Sequence, residues 1–367
     1  MPGHPGSGVL GHRGPPRSGE RGAGGGGVGG ATPTSVGMLG AARRVRGTVR
    51  WALIVGFVCA CGSSPSSRLA GERGASSGES AAPGSPGPRV DRRMAITVDD
   101  LPFAGPARDP AEWARVTRAL LDCFVDRGVP AVGFVNEGKL GDPPHPRRVA
   151  VLQQWLDRGF ELGNHTRSHP SLHEVAFERF ADDVRAGDRV LDRLVPDHGV
   201  RWFRHPFLHT GRDAETRERL DALLRAEGYR VAPVTMDDQD YRVAAAYDAA
   251  EPEARPAIAA AYVDYMDAVM GYWEDQSQAL LDREMAQILL IHASALNAAA
   301  CPALLERAER RGYRFIALEE AAADPAYGSQ RDEYYGAAGI SWLHRWALTE
   351  GHRGEFFAGE PEAPVGP

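Results

Sequence analysis

The residues best suited to chemistry in this chain are carboxylates and imidazoles that follow short apolar runs. Asp99 and Asp100 come directly after the apolar run Met94–Val98. Adjacent carboxylates at the end of a strand point to different sides, so one can hold a metal ion while the other stays free as a general base. An isolated pair of this kind is usually a solvated turn. The assignment therefore depends on the other motifs.

A second motif supplies two imidazoles. His165 and His169 stand at positions i and i+4, which predicts neighbours on one helical turn and the spacing that a chelating pair requires. Together with Asp100 they make a set of two histidines and one carboxylate, which leaves coordination positions open for water and substrate. Because the set contains no cysteine, it predicts a catalytic Zn site, with Co or Ni as alternatives.

Further polar groups follow later apolar runs of the chain. Arg204, Asp240 and His292 come after the fourth, fifth and sixth runs. In a parallel barrel the carboxyl ends of all strands lie at one face, where enzymes of this architecture place their catalytic groups. Several motifs in the same relative position therefore indicate an active site far more strongly than any one of them does.

Seven apolar runs alternate with amphipathic segments, which predicts a parallel sheet surrounded by helices. The runs are residues 94–98, 131–135, 160–163, 201–203, 230–234, 287–291 and 314–317. Because candidate residues follow successive strands, a closed or partly closed barrel is favoured over an open sheet. The stretch 243–285 is unusually long for a connection, and we predict that it is a helical insertion.

The motifs have the order and spacing found in the polysaccharide deacetylases, the NodB-homology enzymes of carbohydrate esterase family 4, and residues 94–320 resemble that family. The resemblance rests on Asp99-Asp100, His165-x3-His169, Arg204-His205-Pro206-Phe207, Asp240-Tyr241 and Leu290-Ile291-His292. It implies an α/β fold of the NodB type, which is a distorted (β/α)7 barrel. In this chain the barrel would carry the helical insertion and a C-terminal helical extension.

The resemblance also implies roles at the matching positions. Asp99 would be the catalytic base, and Arg204 would fix it and keep it ionised through a charge-assisted hydrogen bond. Asp100, His165 and His169 would hold the metal ion.

On the other side of the reacting bond, the resemblance makes His292 the general acid and Asp240 the residue that tunes its pKa. The backbone N–H of Phe207 would help to hold the oxyanion. Phe207 stands where the family usually has Tyr, Tyr241 stands where Trp is usual, and Leu101 stands where many members have Gly. These departures affect the acetyl pocket and the choice of substrate more than the mechanism.

The activity that the resemblance implies is hydrolysis of N-acetyl groups on an amino-sugar polymer or oligosaccharide to acetate and free amine. Chitooligosaccharide, peptidoglycan and exopolysaccharide are the candidate substrates. The alternatives are an O-acetyl esterase, a deacetylase of a small acetylated amine, and a non-catalytic carbohydrate-binding lipoprotein. The last of these would need neither Asp99 nor His292.

The charge distribution argues against nucleic acid as a partner. Residues 1–93 contain 12 arginines and 4 acidic residues, whereas the net charge of the whole chain is −7, so the remainder is strongly acidic. Lys139 is the only lysine, and we attribute this to the codon usage of a GC-rich genome. The sequence leaves the oligomeric state open.

Residues 1–60 are predicted to be a disordered N-terminus followed by a lipoprotein-type signal peptide. Several arginines precede the apolar run 51–58, and Cys61 closes a sequence that resembles a lipobox. Residues 61–93 form a Ser/Gly/Pro-rich tether. These features predict a lipid-anchored protein of the cell envelope attached to a membrane, or a secreted protein if Cys61 is not lipidated.

The body of the chain is predicted to comprise a NodB-like domain at residues 94–325 and a C-terminal extension at residues 326–367. Its two cysteines, Cys123 and Cys301, are far apart and lack metal-type spacing. Cys123 lies within an apolar run, which predicts a buried structural thiol.

Overall fold

The computed structural model describes residues 91–106, 109–197 and 199–365. The predicted signal peptide, the lipidation site Cys61 and nearly all of the tether lie outside these residues. Across the three ranges, no helix combines the length and the apolarity that crossing a bilayer requires.

Seven strands, all paired in parallel, form one sheet at the centre of the domain. They are β1 (Arg92–Leu101), β2 (Val132–Val135), β3 (Glu161–Asn164), β4 (Arg201–Phe203), β5 (Tyr229–Val231), β6 (Gln287–His292) and β7 (Tyr313–Phe315). Each apolar run therefore corresponds to a strand, and the predicted α/β class is confirmed. Met94 to Val98 of β1 are buried on both faces, as expected for a parallel strand covered on both sides.

The sheet curls into a distorted barrel. Its strand order is β5-β4-β3-β2-β1-β6, and a bridge between Met236, beyond β5, and Leu289 of β6 closes the ring. The N–H of Met236 donates to the carbonyl of Ile288 at 3.0 Å, and the N–H of Leu290 donates to the carbonyl of Met236 at 3.2 Å. Strand β7 lies outside this strand order and pairs with the first residues of β1.

Eleven α-helices are present within the described ranges, and most of them cover the outside of the barrel. They are α1 (Pro110–Asp126), α2 (Pro146–Asp157), α3 (Phe177–Ala186), α4 (Asp188–Leu194), α5 (Ala214–Ala226), α6 (Asp240–Ala249), α7 (Arg255–Leu281), α8 (Ala295–Arg310), α9 (Leu318–Ala322), α10 (Pro325–Ser329) and α11 (Trp342–Thr349). Short polar side chains begin several of them: Asp109, Asp213 and Ser294 each accept a backbone N–H of the first turn.

The stretch predicted as an insertion contains the end of α6 and the 27-residue helix α7. The C-terminal extension packs against this helix. The hydroxyl of Tyr272 lies 2.8 Å from Nε2 of His344, and Gln276 donates to the carbonyl of Phe356 at 2.8 Å. Helix α7 and the C-terminal residues therefore support each other beside the carboxyl ends of the strands.

Cys123 and Cys301 form a disulfide that joins α1 to α8. The prediction that Cys123 is a buried structural thiol is therefore wrong, although the residue is buried as expected. The two cysteines are 178 residues apart in sequence. Their pairing depends on the packing of α1 against α8, and a local sequence pattern does not predict that packing.

Candidate active site

A cleft of about 820 Å³ opens at the carboxyl ends of the strands. Seven of the predicted site residues line it: Asp99, Asp100, His165, His169, Phe207, Tyr241 and His292. The other two, Arg204 and Asp240, are fully buried and contact residues that line the cleft. The structure thus brings the predicted catalytic and metal-binding residues to one place.

Three of these side chains converge in a way that suits a metal ion. Oδ1 of Asp100 lies 3.8 Å from Nε2 of His165 and 3.8 Å from Nε2 of His169. Oδ1 is buried, and it has no hydrogen-bond partner within the described ranges. A buried carboxylate oxygen that faces two imidazole nitrogens fits a divalent cation, because an unpaired buried acceptor is otherwise costly.

The ionisation of this set also suits metal binding. Burial lowers the pKa of both His165 and His169 to about 4, so both imidazoles are neutral at neutral pH. Burial opposes ionisation of Asp100, but the ammonium of Lys139 and the nearby histidines hold the pKa of this carboxyl well below its usual range. Neutral imidazole and ionised carboxylate are the forms that ligate zinc.

The two histidines do not lie on a helical turn, so the predicted local structure is wrong. They belong to a loop after β3, in which Thr166 and His169 adopt left-handed backbone conformations with φ of 65° and 55°. Oδ1 of Asn164 accepts the N–H of Thr166 at 2.6 Å, and Oγ1 of Thr166 accepts the N–H of His169 at 3.1 Å. These side-chain bonds replace the helical pattern, yet they bring the two imidazole rings to 4.7 Å.

Asp99 lies beside the metal-binding set and is 2% exposed. Nη1 of Arg204 is 3.6 Å from Oδ2 of Asp99, which is an ion pair rather than the predicted hydrogen bond. Arg204 is held instead by a hydrogen bond from Nη2 to Oγ1 of Thr97 at 2.8 Å. Burial raises the pKa of Asp99, and Arg204 opposes this effect without overcoming it.

On the other side of the cleft, the partly exposed His292 pairs with the fully buried Asp240. Nδ1 of His292 lies 2.6 Å from Oδ1 of Asp240, and Oδ2 of Asp240 accepts the backbone N–H of His292 at 2.7 Å. Burial by itself would lower the pKa of His292, but the Asp240 carboxylate raises it to about 10. His292 is therefore a cation at neutral pH, with Nε2 left for a substrate.

Asn297 was not among the predicted site residues, although it fixes this pair. Its Nδ2 donates to Oδ2 of Asp240 at 2.6 Å and to the carbonyl of His292 at 2.9 Å. Its Oδ1 accepts the hydroxyl of Tyr262, a residue of α7, at 2.8 Å. The available signal was an asparagine in the first turn of the helix that follows the strand ending in His292.

Phe207 and Tyr241 form aromatic surfaces at the rim of the cleft. Phe207 is 53% exposed, and its ring lies 4.4 Å from that of His169. Its backbone is left-handed with φ of 56°, and so is that of Leu208. Tyr241 is 57% exposed and lies 6.2 Å from the ring of His292. The two rings therefore stand beside the metal-binding set and beside the predicted acid, respectively.

The C-terminal extension also lines the cleft, a contribution that the sequence motifs did not indicate. Gly339, Ile340, Glu360 and Pro361 contribute to the wall. Gly339 packs so closely on the turn that carries Phe207 that a Cβ atom there would lie 1.7 Å from the carbonyl oxygen of Phe207. The extension is thus built into the site.

Comparison with known proteins agrees with these motifs. The family model described as polysaccharide deacetylase matches residues 87–230. A chitooligosaccharide deacetylase of Sinorhizobium fredii is 28% identical over 91 residues. That alignment covers 25% of this chain and 40% of the relative, so the chain spans well under two thirds of that protein.

Several solved structures are similar at low identity. The chitin deacetylase of Colletotrichum lindemuthianum has a TM-score of 0.44 and 20% identity, with 64% of this chain and 89% of that chain covered. A peptidoglycan deacetylase of Bacillus subtilis has a TM-score of 0.40 and 20% identity, with coverages of 63% and 91%. A family 4 pseudoenzyme of Bacillus anthracis has a TM-score of 0.42 and 14% identity, with coverages of 64% and 66%. The function is therefore inferred from this chain's own residues.

Proposed function

We propose that this protein is a metal-dependent deacetylase that releases acetate from N-acetyl groups of an amino-sugar polymer or oligosaccharide. The observation that carries the proposal is the placement of a base and an acid on neighbouring strands beside one ligand set. Asp99 of β1 and His292 of β6 are paired in the strand register, and Asp100 follows Asp99 in the chain. Adjacent parallel strands lie about 4.8 Å apart, so both groups reach one substrate.

Asp100, His165 and His169 would hold the metal ion, and zinc is the first choice because two imidazoles and one carboxylate are a common catalytic zinc set. Cobalt and nickel are the alternatives for the same donors. When bound there, the ion supplies the Lewis acidity that polarises an acetyl carbonyl and acidifies water.

The remaining steps belong to the side chains of this protein. Asp99 accepts a proton from the attacking water, and the buried guanidinium of Arg204 offsets part of the negative charge beside it. The backbone at Phe207 is held in a fixed turn, so its N–H is available to the negatively charged oxygen of the tetrahedral intermediate.

His292 completes the reaction by protonating the departing nitrogen. An amide nitrogen leaves poorly unless it gains a proton, and the Asp240 carboxylate keeps His292 in its protonated form at neutral pH. The products are acetate and a free amino sugar. The exposed faces of Phe207 and Tyr241 offer surfaces on which sugar rings can pack.

The substrate class is proposed from the wall of the cleft as well as from the relative in Sinorhizobium fredii, which is a chitooligosaccharide deacetylase. Residues of α7 and of the C-terminal extension, such as Tyr265, Trp273 and Ile340, line one side of the cleft. A cleft with an added wall favours short oligomers or chain ends over the middle of a long polymer.

We also propose that the protein acts in the cell envelope, anchored to a membrane by a lipid at Cys61. The lipobox-like sequence supports this location, and so does the Cys123–Cys301 disulfide, because disulfides persist in oxidising compartments. Labelled fatty acid should be incorporated into the unmodified protein and not into Cys61→Ser. Undiminished labelling of the variant would refute the anchor.

The enzymatic proposal is tested by measuring acetate release from N-acetylglucosamine oligomers, peptidoglycan fragments and acetylated xylan, each with a chelator or with added zinc or cobalt. We expect metal-dependent release from the N-acetylated substrates and its loss in Asp99→Asn. Asp122→Asn is the matched control, because Asp122 pairs with Arg158 on the surface. Release from xylan alone would favour an O-acetyl esterase, and no release from any substrate would favour a binding protein.

A further inference from the structure

Lys139 is the single lysine among 42 basic residues of the chain. It lies in a short 3-10 turn, Glu137–Leu140, which follows β2. Its side chain lines the cleft and is 33% exposed. Codon usage accounts for the abundance of arginine, but it does not explain why the one exception lies beside the metal-binding set.

The ammonium group of Lys139 contacts residues at and just beyond the end of β1. Nζ donates to the backbone carbonyl of Asp100 at 3.0 Å and to that of Phe103 at 3.4 Å. It also lies 3.3 Å from Oδ2 of Asp100. Three oxygens grouped around a point suit the three N–H bonds of an ammonium, whereas a planar guanidinium suits acceptors that lie in its own plane.

Asp100 is a residue that needs such support. Its φ is 72°, a left-handed conformation that a residue with a Cβ adopts only when its surroundings impose it. Its two carboxylate oxygens have different neighbours: Oδ1 faces the imidazoles of His165 and His169, and Oδ2 faces Lys139. Rotation of the carboxylate would exchange these partners.

The turn that carries Lys139 is itself fixed to both ligand-bearing segments. The N–H of Asn136 donates to the carbonyl of Leu101 at 3.0 Å, and Nδ2 of Asn136 donates to the carbonyl of His165 at 2.7 Å. The N–H of Gly138 donates to the carbonyl of Arg167 at 2.8 Å. The turn that carries Lys139 is therefore hydrogen-bonded to both segments and helps to set the distance between them.

We propose that Lys139 is a positioning residue for the metal site. It fixes the backbone of Asp100 and holds Oδ2, so that Asp100 offers Oδ1 alone to the ion. This inference rests on the proposed metal-binding function. A competing effect has the opposite sign, because a positive charge beside the site repels a divalent cation and its removal alone would strengthen binding.

The test compares Lys139→Met, which keeps the aliphatic stem, and Lys139→Arg, which keeps the charge. Arg127→Met is the matched control, because Arg127 is also 33% exposed and pairs with Glu309 away from the cleft. Zinc affinity is measured by competition with a chromophoric chelator. Melting of the metal-free proteins checks that each variant is folded.

Both Lys139 variants should bind zinc about 10- to 100-fold more weakly than the unmodified protein, the range for residues that orient a ligand. The control should bind zinc normally. Full affinity in Lys139→Arg, or tighter binding in Lys139→Met, would show that only the charge matters and would overturn the inference.

A crystal structure of metal-free Lys139→Met gives a second readout that does not depend on metal. We expect Asp100 Oδ1 to leave its position 3.8 Å from both imidazoles; an unmoved carboxylate would refute the positioning role. If the unmodified protein bound no zinc, the proposed metal function would fail, and this structure would still decide whether Lys139 positions Asp100.

Discussion

The two ends of the barrel satisfy their charged groups in different ways. At the end opposite the cleft, Arg92 lies 2.9 Å from Glu284 and 3.2 Å from Glu274, and Arg311 lies 2.7 Å from Glu274. At the cleft, Asp99 Oδ1, Asp100 Oδ1 and Arg204 Nη1 are buried without a hydrogen bond to any described residue. Ion pairs occur at both ends, and Oε2 of Glu284 also lacks a hydrogen bond, but at the cleft the unpaired atoms belong to the candidate site.

Backbone strain follows the same division. Of the six non-glycine residues with positive φ in the described ranges, five lie in segments that form the cleft: Asp100, Thr166, His169, Phe207 and Leu208. Left-handed conformations of this kind cost roughly 1–3 kcal/mol each and persist where the surroundings impose them. The comparison teaches that this barrel concentrates its left-handed non-glycine residues where chemistry is proposed, whereas paired charges occur at both ends.

The largest expected effect comes from removing one of the proposed metal ligands at the cleft. His169→Ala should lose most bound metal and reduce turnover on the order of 10³-fold, because Lewis-acid catalysis contributes several kcal/mol. Metal content by elemental analysis and acetate release measure the two losses. A variant that kept one ion per chain would disprove the ligand assignment.

The next largest effect concerns the acid. His292→Ala should lose about 10²- to 10⁴-fold on N-acetyl substrates. It should lose much less on an activated acetyl ester, whose leaving group needs no proton. Kinetics on both substrates measure the difference. Equal losses would show that His292 is not the acid.

The pair with Asp240 should also set the alkaline limit of activity. Because the Asp240 carboxylate raises the pKa of His292 to about 10, the protonated acid persists below that pH and is lost above it. Asp240→Asn should shift the alkaline limb towards about 6.5, the ordinary histidine value. An unshifted limb in the pH–rate profile would assign it to another group.

A smaller effect is expected from Gly339→Ala in the C-terminal extension. A Cβ at 1.7 Å from the carbonyl oxygen of Phe207 must displace one of the two segments. A displacement near 1 Å can cost about 10² in rate. Gly328→Ala is the matched control, since nothing lies within 4 Å of a Cβ at that position. Steady-state kinetics that were the same for both variants would show that the extension does not hold the Phe207 turn.

The smallest effect on activity should come from the opposite end of the barrel. Glu274→Gln removes the charge that pairs with Arg311 and Arg92, both of which are about one quarter exposed. We expect a loss of stability on the order of 1–2 kcal/mol, discounted for that exposure, with kinetics unchanged in the folded protein. Denaturant unfolding and acetate release measure the two quantities. A large loss of turnover would contradict the division between the two ends.

The sequence by itself determined the seven parallel strands and the order in which polar groups follow them. Runs such as Met94–Val98 and Gln287–Ile291 are apolar because both faces of a parallel strand are covered, and this pattern is local. In a parallel barrel, the ends of such strands share one face. The common location of Asp99, His165 and His292 could therefore be predicted.

Only the tertiary structure decided the features that join distant parts of the chain. Lys139 reaches Asp100, Cys123 pairs with Cys301, and Gly339 packs on Phe207. The loop between His165 and His169 replaced the expected helical turn because Asn164 bonds its backbone. Such contacts depend on which segments the closed barrel brings together. Residue spacing along the chain does not predict which segments these are.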